Sequence, residues 1–201
     1  MSDHAAAIKG LPRWHRDPLV SATIGRIRAH GWAVTAVSDE CECDSADCRP
    51  PDCSFGYTTG LGLHSLPELA VYGLSAATSF RVLNELGDLL HGWEWTDIVD
   101  NGVEMTLRSI DAPVRLIELV DKSDLLITNE LFPNTPALQV VWPDEHGQYP
   151  WMDEYSLRPE HQLVKGALPL GRSRTGGSRV ISPAAGLNRA QRRQAARRRR
   201  T

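Results

Sequence analysis

The spacing of apolar and polar positions divides the chain into alternating helical and extended segments. Leu19 or Val20, Thr23 or Ile24, and Ile27 recur at helical intervals between Asp17-Pro18, an N-cap followed by a first-turn proline, and the stop at Gly31. This predicts a helix over 17–30. Residues 31–39 alternate, with Trp32, Val34 and Ala36 on one side, as expected of a strand. Residues 54–63 and 67–74 read as two more strands, the second nearly all apolar and therefore buried on both faces. Phe80, Leu83, Leu86 and Leu90, spaced by three and four behind Ser75 and ahead of Gly92, predict an amphipathic helix over 75–92. Val103, Met105 and Leu107 alternate with polar residues. Residues 114–119 follow an Asp-Ala-Pro turn, and 137–142 form a last buried strand after a short helix over 122–131.

Regular strand–helix–strand alternation is missing from this order. The pattern therefore predicts an α+β fold with a mainly antiparallel sheet of five to six strands and helices packed on one face. Residues 1–16 read as a loosely held leader, 17–165 as the domain, and 166–201 as a disordered tail with a terminal helix over 187–200. The domain includes a cysteine-rich loop over 40–53.

Several short strings occur in an order that resembles the bacterial domain of unknown function (DUF) 4262 family. They are Ala29-His30-Gly31-Trp32, Tyr57-Thr58-Thr59-Gly60-Leu61, Pro67-Glu68-Leu69 with Gly73-Leu74, Leu83-Asn84-Glu85-Leu86, Leu138 to Asp144, and Gly147 to Trp151. The resemblance covers roughly 20–152. It implies an intracellular α+β domain and no established activity. Many relatives carry a histidine directly before the Pro-Glu pair, where this chain has Leu66, and they generally lack the cysteine cluster.

Composition changes the picture chiefly through charge. The 201 residues carry 22 basic and 25 acidic groups, a net charge of −3. Ten of the basic residues, all arginine, lie in 171–201 with no acid beside them. The remaining twelve oppose all 25 acids in 1–170, so a body of −13 carries an arm of +10. Such asymmetry marks an interaction tail. Arg189, Arg192, Arg193, Arg197, Arg198, Arg199 and Arg200 suit the phosphates of RNA or DNA, or an acidic protein, because guanidinium pairs bidentately with anions. Docking onto the chain's own acidic body is the competing reading. No Trp, Phe or Ile accompanies these charges and no long apolar run occurs, so no membrane contact is expected and the cytoplasm is the expected location.

All four cysteines, Cys41, Cys43, Cys48 and Cys53, fall within thirteen residues. Four thiolates in a hairpin loop suit a structural Zn²⁺, although intervals of two, five and five are not paired knuckles, and redox-labile or inert thiols remain open. Tyr57, Thr58, Gly60 and His64 make a glycine- and hydroxyl-bearing strand end that lacks the Gly-Lys-Ser/Thr of a P-loop and the helix start of a dinucleotide fingerprint. Glu68, Gln139 and Asp144 are polar groups in apolar surroundings. Glu68 needs a partner, for which Arg81, Arg108 and Arg115 are the candidates. Trp93 and Trp95, and Trp142 and Trp151 beside proline turns, suit either a binding rim or core lids.

Two functions follow from these readings. One is a non-enzymatic binding or regulatory module with a basic arm. The other is an enzyme of unidentified reaction with a pocket around Tyr57, Thr58, Glu68, Gln139, Asp144 and Trp151. A closed pocket holding Glu68 would mark the enzyme, and a flat surface with paired carboxylates the module.

Overall fold

A computed structural model describes residues 4–37, 53–168 and 180–181. Helix α1 (His4–Ala7) precedes α2 (Pro18–His30), β1 (Ala33–Val37), β2 (Phe55–Thr59) and β3 (Glu68–Tyr72). Then come α3 (Ala76–Leu90), α4 (Trp95–Asp100), β4 (Glu104–Leu107), β5 (Ala112–Glu118), α5 (Leu126–Leu131) and β6 (Ala137–Val141). A two-residue strand, β7 (Val180–Ile181), follows.

The strands form one sheet in the order β1-β2-β3-β6-β5-β4-β7. The fold is α+β. All pairings among the first six strands are antiparallel except β3–β6, which runs parallel with Glu68 opposite Ala137. That central pair is buried at every position, which explains its near-continuous apolar sequence.

Local chemistry accounts for the helix ends. Asp17 Oδ1 accepts hydrogen bonds from the Leu19 and Val20 amides at 2.8 and 3.3 Å, and Pro18 occupies the first turn, where its missing N–H costs nothing. Ser75 Oγ accepts from the Thr78 amide and starts α3.

Both faces of the sheet are covered, whereas the sequence pattern predicts helices on one. Leu69, Val71, Leu138 and Val140 meet Leu83, Leu86 and Leu90 of α3 on one side. Alternate residues Ala70, Tyr72 and Ala137 meet Ile24 and Ile27 of α2 and Ile127 of α5 on the other. A strand's two-residue period puts neighbouring side chains on opposite faces, so a strand apolar throughout needs a cover on each.

Three further expectations change. Residues 61–64 turn into a 3₁₀ helix instead of continuing β2. Phe80 is 55% exposed, and Ser79 and Val82 are buried in its place. Residues 4–16 belong to the segment expected as a loose leader. Of these, Leu11 is buried and Arg28 donates to the carbonyls of Leu11 and Pro12, tying the segment to α2.

Of the tail, Gly166 bridges to Leu119, and Val180–Ile181 pair in parallel with Glu104–Met105 although no fixed structure is expected over 171–186 from the sequence. The arginines over 189–200 lie outside the described residues, as do Cys41, Cys43 and Cys48. Cys53 is exposed in the turn ahead of β2. Among the described residues no helix is long and apolar enough to cross a membrane.

Candidate functional site

The residues singled out from the sequence separate into two bonded groups, one at the start of β3 and one from β6 onward, while Tyr57 and Gln139 lie level in the sheet, each opposite Ala70. The first surrounds Glu68 where β3 begins. Gly60 takes a left-handed conformation (φ 112°) that ends β2 and aims the next amides back at the strand start. Glu68 Oε1 accepts from the Gly60 and Gly62 amides at 2.8 and 3.1 Å, and Oε2 accepts from Thr58 Oγ1 at 2.7 Å. The Leu69 amide donates to the same Thr58 oxygen at 2.8 Å. The carboxyl thus caps the 3₁₀ turn Leu61–His64.

None of the three arginines considered as partners of Glu68 fills that role. Arg115 pairs with Glu104 at 2.6 Å and lies over the Tyr149 ring. Arg81 donates to Thr78, and the Arg108 amide donates to Glu85. Burial pushes the Glu68 carboxyl above its ordinary value, opposed by the Thr58 hydroxyl and the Gly62, Gly60 and Leu61 amides. Glu68 is fully buried, and its donors are all structural.

Tyr57 is buried against α5, where its hydroxyl accepts from the Ile127 amide at 3.3 Å, and burial pushes its phenol up. His64 ends the 3₁₀ turn with Nε2 3.2 Å from the Gly31 carbonyl. It lies beside His91 and His4, with ring centroids 5.5 and 6.1 Å away. Partial burial lowers its pKa, the Gly31 carbonyl opposes this, and His91 and His4 lower it further. No cluster of His, Cys, Asp and Glu that could hold a metal occurs among the described residues.

The second group holds the C-terminal part of the domain to the sheet. Gln139 donates to the Leu163 carbonyl at 2.6 Å and accepts from the Lys165 amide at 2.8 Å, so it fastens residues 163–165 along β6. The Trp142 indole donates to the Tyr72 carbonyl, and Gln162 bonds both the amide and the carbonyl of Trp142. Asp144 accepts from the amides of His146, Gln148 and Ser156 and from the Ser156 hydroxyl. Burial raises the Asp144 pKa, but those donors outweigh it and hold the carboxyl well below the usual carboxylate range. Trp151 stacks on Tyr149 at 5.1 Å.

The side chains around which a pocket is expected, Tyr57, Thr58, Glu68, Gln139, Asp144 and Trp151, already have partners within the protein. Each of these side chains is engaged in holding backbone or core together.

A cleft of about 410 Å³ opens beside the first group instead. Its apolar walls are Leu66, Trp95 of α4, and Phe132, Pro133 and Pro136 from the loop after α5. Gly62, Ser65, Asn134 and Thr135 supply its polar surface. A Cβ at Gly62 would lie 2.8 Å from Thr135 Cγ2, so the 3₁₀ turn sits tight against the loop. Ser65 adopts φ 61°, a left-handed conformation unusual for a residue with a side chain, at the cleft margin.

No lining residue ionises, and Leu66 occupies the position where the resemblance would place a histidine. Trp95 and Leu66 are the wall residues singled out from the sequence. The Leu131–Pro136 segment, with its two prolines and an asparagine, is the signal that could have pointed to the rest.

The family model for a domain of unknown function, DUF4262, matches residues 26–156, well over half of the chain. The chain belongs to the DUF4262 family. No curated protein and no solved structure matches it. The cleft, the Glu68 lock and Asp144 all fall within the DUF4262 match. Gln162, the segment fastened by Gln139 and the arginine arm lie beyond it.

Proposed function

We propose that this DUF4262 protein is a binding module in which an acidic α+β body carries an arginine-rich arm that engages nucleic-acid phosphate. The observation that carries this reading is the charge division, ten arginines without an acid in 171–201 against a body of −13. Arginine forks match phosphate bidentately, and a run of seven over 189–200 attracts a polyanion with little regard for sequence.

The body supports binding over catalysis by its chemistry. Among the described residues, the one fully buried carboxylate, Glu68, is sealed beneath the 3₁₀ turn, and the neighbouring cleft offers apolar and amide surface without an acid or base.

The test is a salt titration of the full chain and of a chain ending at Gly186 against a duplex and a single-stranded RNA. Affinity of the full chain should fall with a log–log slope of several units, as about seven engaged charges require. Loss of the arm should abolish binding. Equal, salt-insensitive behaviour of the two chains would remove nucleic acid as a partner.

A structural Zn²⁺ held by Cys41, Cys43, Cys48 and Cys53 is also proposed. The β1–β2 hairpin, closed by the Val37–Phe55 pair, brings the two ends of that loop together, as a four-thiolate site needs. One equivalent of zinc per chain by elemental analysis is the expected result, and a metal-free chain indifferent to chelators would overturn it.

A further inference from the structure

A second cleft, of about 680 Å³, lies on the outer side of α3 and, unlike the first, has charged side chains in its wall. Phe80 lines it with 55% of its surface exposed, although the ring could have been buried had α3 been rotated by one position. An exposed aromatic that joins none of the three core clusters leaves a flat π-face for another planar group.

Two arginines share the cleft with that ring. Arg81 and Arg108 both line the cleft, and neither guanidinium has a carboxylate partner among the described residues. His30, from the end of α2, adds a third nitrogen donor.

The lone acid in the wall is already engaged. Glu85 accepts the Arg108 and Ser109 amides, one on each oxygen, both at 2.9 Å. Those bonds also position the turn after β4 that carries Arg108 into the cleft wall.

Two polar side chains complete the wall. The Ser109 hydroxyl is buried in the same wall without a hydrogen-bond partner, and the Asn84 side chain accepts from the Trp32 indole at 3.1 Å while donating to the Phe80 carbonyl.

We propose that this cleft binds one nucleotide of a single-stranded nucleic acid, the base stacked on Phe80 and the adjoining phosphates held by Arg81 and Arg108. The proposal rests on the nucleic-acid reading above and deepens it. The arm would supply sequence-blind attraction, whereas the cleft would supply a preference for unpaired bases, because only an unpaired base can present its face to a protein ring. Charge complementarity favours this occupant, since the cleft wall carries two arginines against one carboxylate, Glu85, whose oxygens are already engaged.

The experiment uses the full chain with its arm and measures affinity for rU15, for dT15 and for a duplex of equal phosphate count. Wild type should prefer the single strands about fivefold or more, and the ratio of rU15 to dT15 identifies which polymer is favoured. Phe80→Ala should remove that preference by weakening the single strands about five- to tenfold while leaving duplex affinity unchanged. Arg108→Gln should lower the salt slope for the single strands by about one unit. Both side chains are exposed, and an unchanged thermal melt confirms that the variants fold.

Variants that keep the wild-type ratio of single strand to duplex would overturn the proposal while leaving the arm's role intact. Failure of the wild type to bind any of the three would sink both. Displacement of rU15 by polyglutamate at equal charge, from wild type and Phe80→Ala alike, would reassign the cleft to an acidic protein and overturn the proposal too.

Discussion

Replacing Glu68 by alanine is expected to destabilise the domain by about 3–5 kcal/mol and to lower its melting temperature by roughly 10 °C. The substitution orphans the Gly60 and Gly62 amides and the Thr58 hydroxyl in one step, deep in the protein. Each unpaired buried donor costs about 1–3 kcal/mol, and a cavity is left behind. Glu68→Gln keeps the volume and one acceptor oxygen, so it should cost less than half as much. It has a second signature in pH.

Burial raises the Glu68 carboxyl above its ordinary value of 4.5, so the folded chain keeps the proton to a higher pH than the unfolded chain does. The resulting contribution is full below about 4.5 and is lost as pH rises through the raised value. Glu68→Gln should flatten that part of the stability curve. Urea melts across pH 4–8 check both statements. A wild-type-like Glu68→Ala would show that the 3₁₀ turn does not depend on this carboxylate.

The second large effect is expected at Gly73, where alanine should cost more than about 3 kcal/mol. Gly73 sits at φ 75°, and a Cβ there would fall 1.8 Å from the His161 carbonyl oxygen. Rotating a side chain cannot relieve the overlap, because the obstacle is backbone. That backbone is held in place by Gln162, which bonds Trp142 on both sides.

Gly25 provides the contrast. It lies mid-helix in α2, is exposed, and a Cβ added there would meet nothing within 4 Å, so Gly25→Ala should stabilise by up to about 1 kcal/mol. Opposite signs from one substitution type, read by thermal melts, test whether residues 159–162 are seated against the sheet as described.

Periodicity and end chemistry were enough to place most elements from the residues alone. Asp17-Pro18 and Ser75 start α2 and α3 through bonds made within three residues, and such local bonds are legible without a fold. The alternation in Val103 to Leu107 and the unbroken apolar runs of β3 and β6 likewise report how many faces of a strand are buried. The strings shared with DUF4262 and the charge division are sequence properties outright.

What tertiary structure alone decided are choices between locally equivalent options. Helical spacing allowed either Phe80 or Ser79 and Val82 to face the sheet. Gly56 settles it, since a Cβ there would lie 2.9 Å from Ser79 Cβ, and only a small residue on α3 fits so close an approach. Phe80 is turned outward as a result. The Leu61–His64 segment could have continued β2, but the Glu68 carboxylate, eight residues after Gly60, rewards the turn with hydrogen bonds from the Gly60 and Gly62 amides.

Gln139 and Asp144 could be recognised as polar groups in need of partners, yet their partners lie up to 26 residues away and depend on how the chain returns to the sheet. The apolar cleft joins residues 62–66, Trp95 and 132–136, three segments whose meeting follows from the parallel β3–β6 pair. A pairing between strands separated by three helices and a hairpin leaves no periodic trace in the sequence, because the energy that selects it comes from burying both faces of the sheet at once.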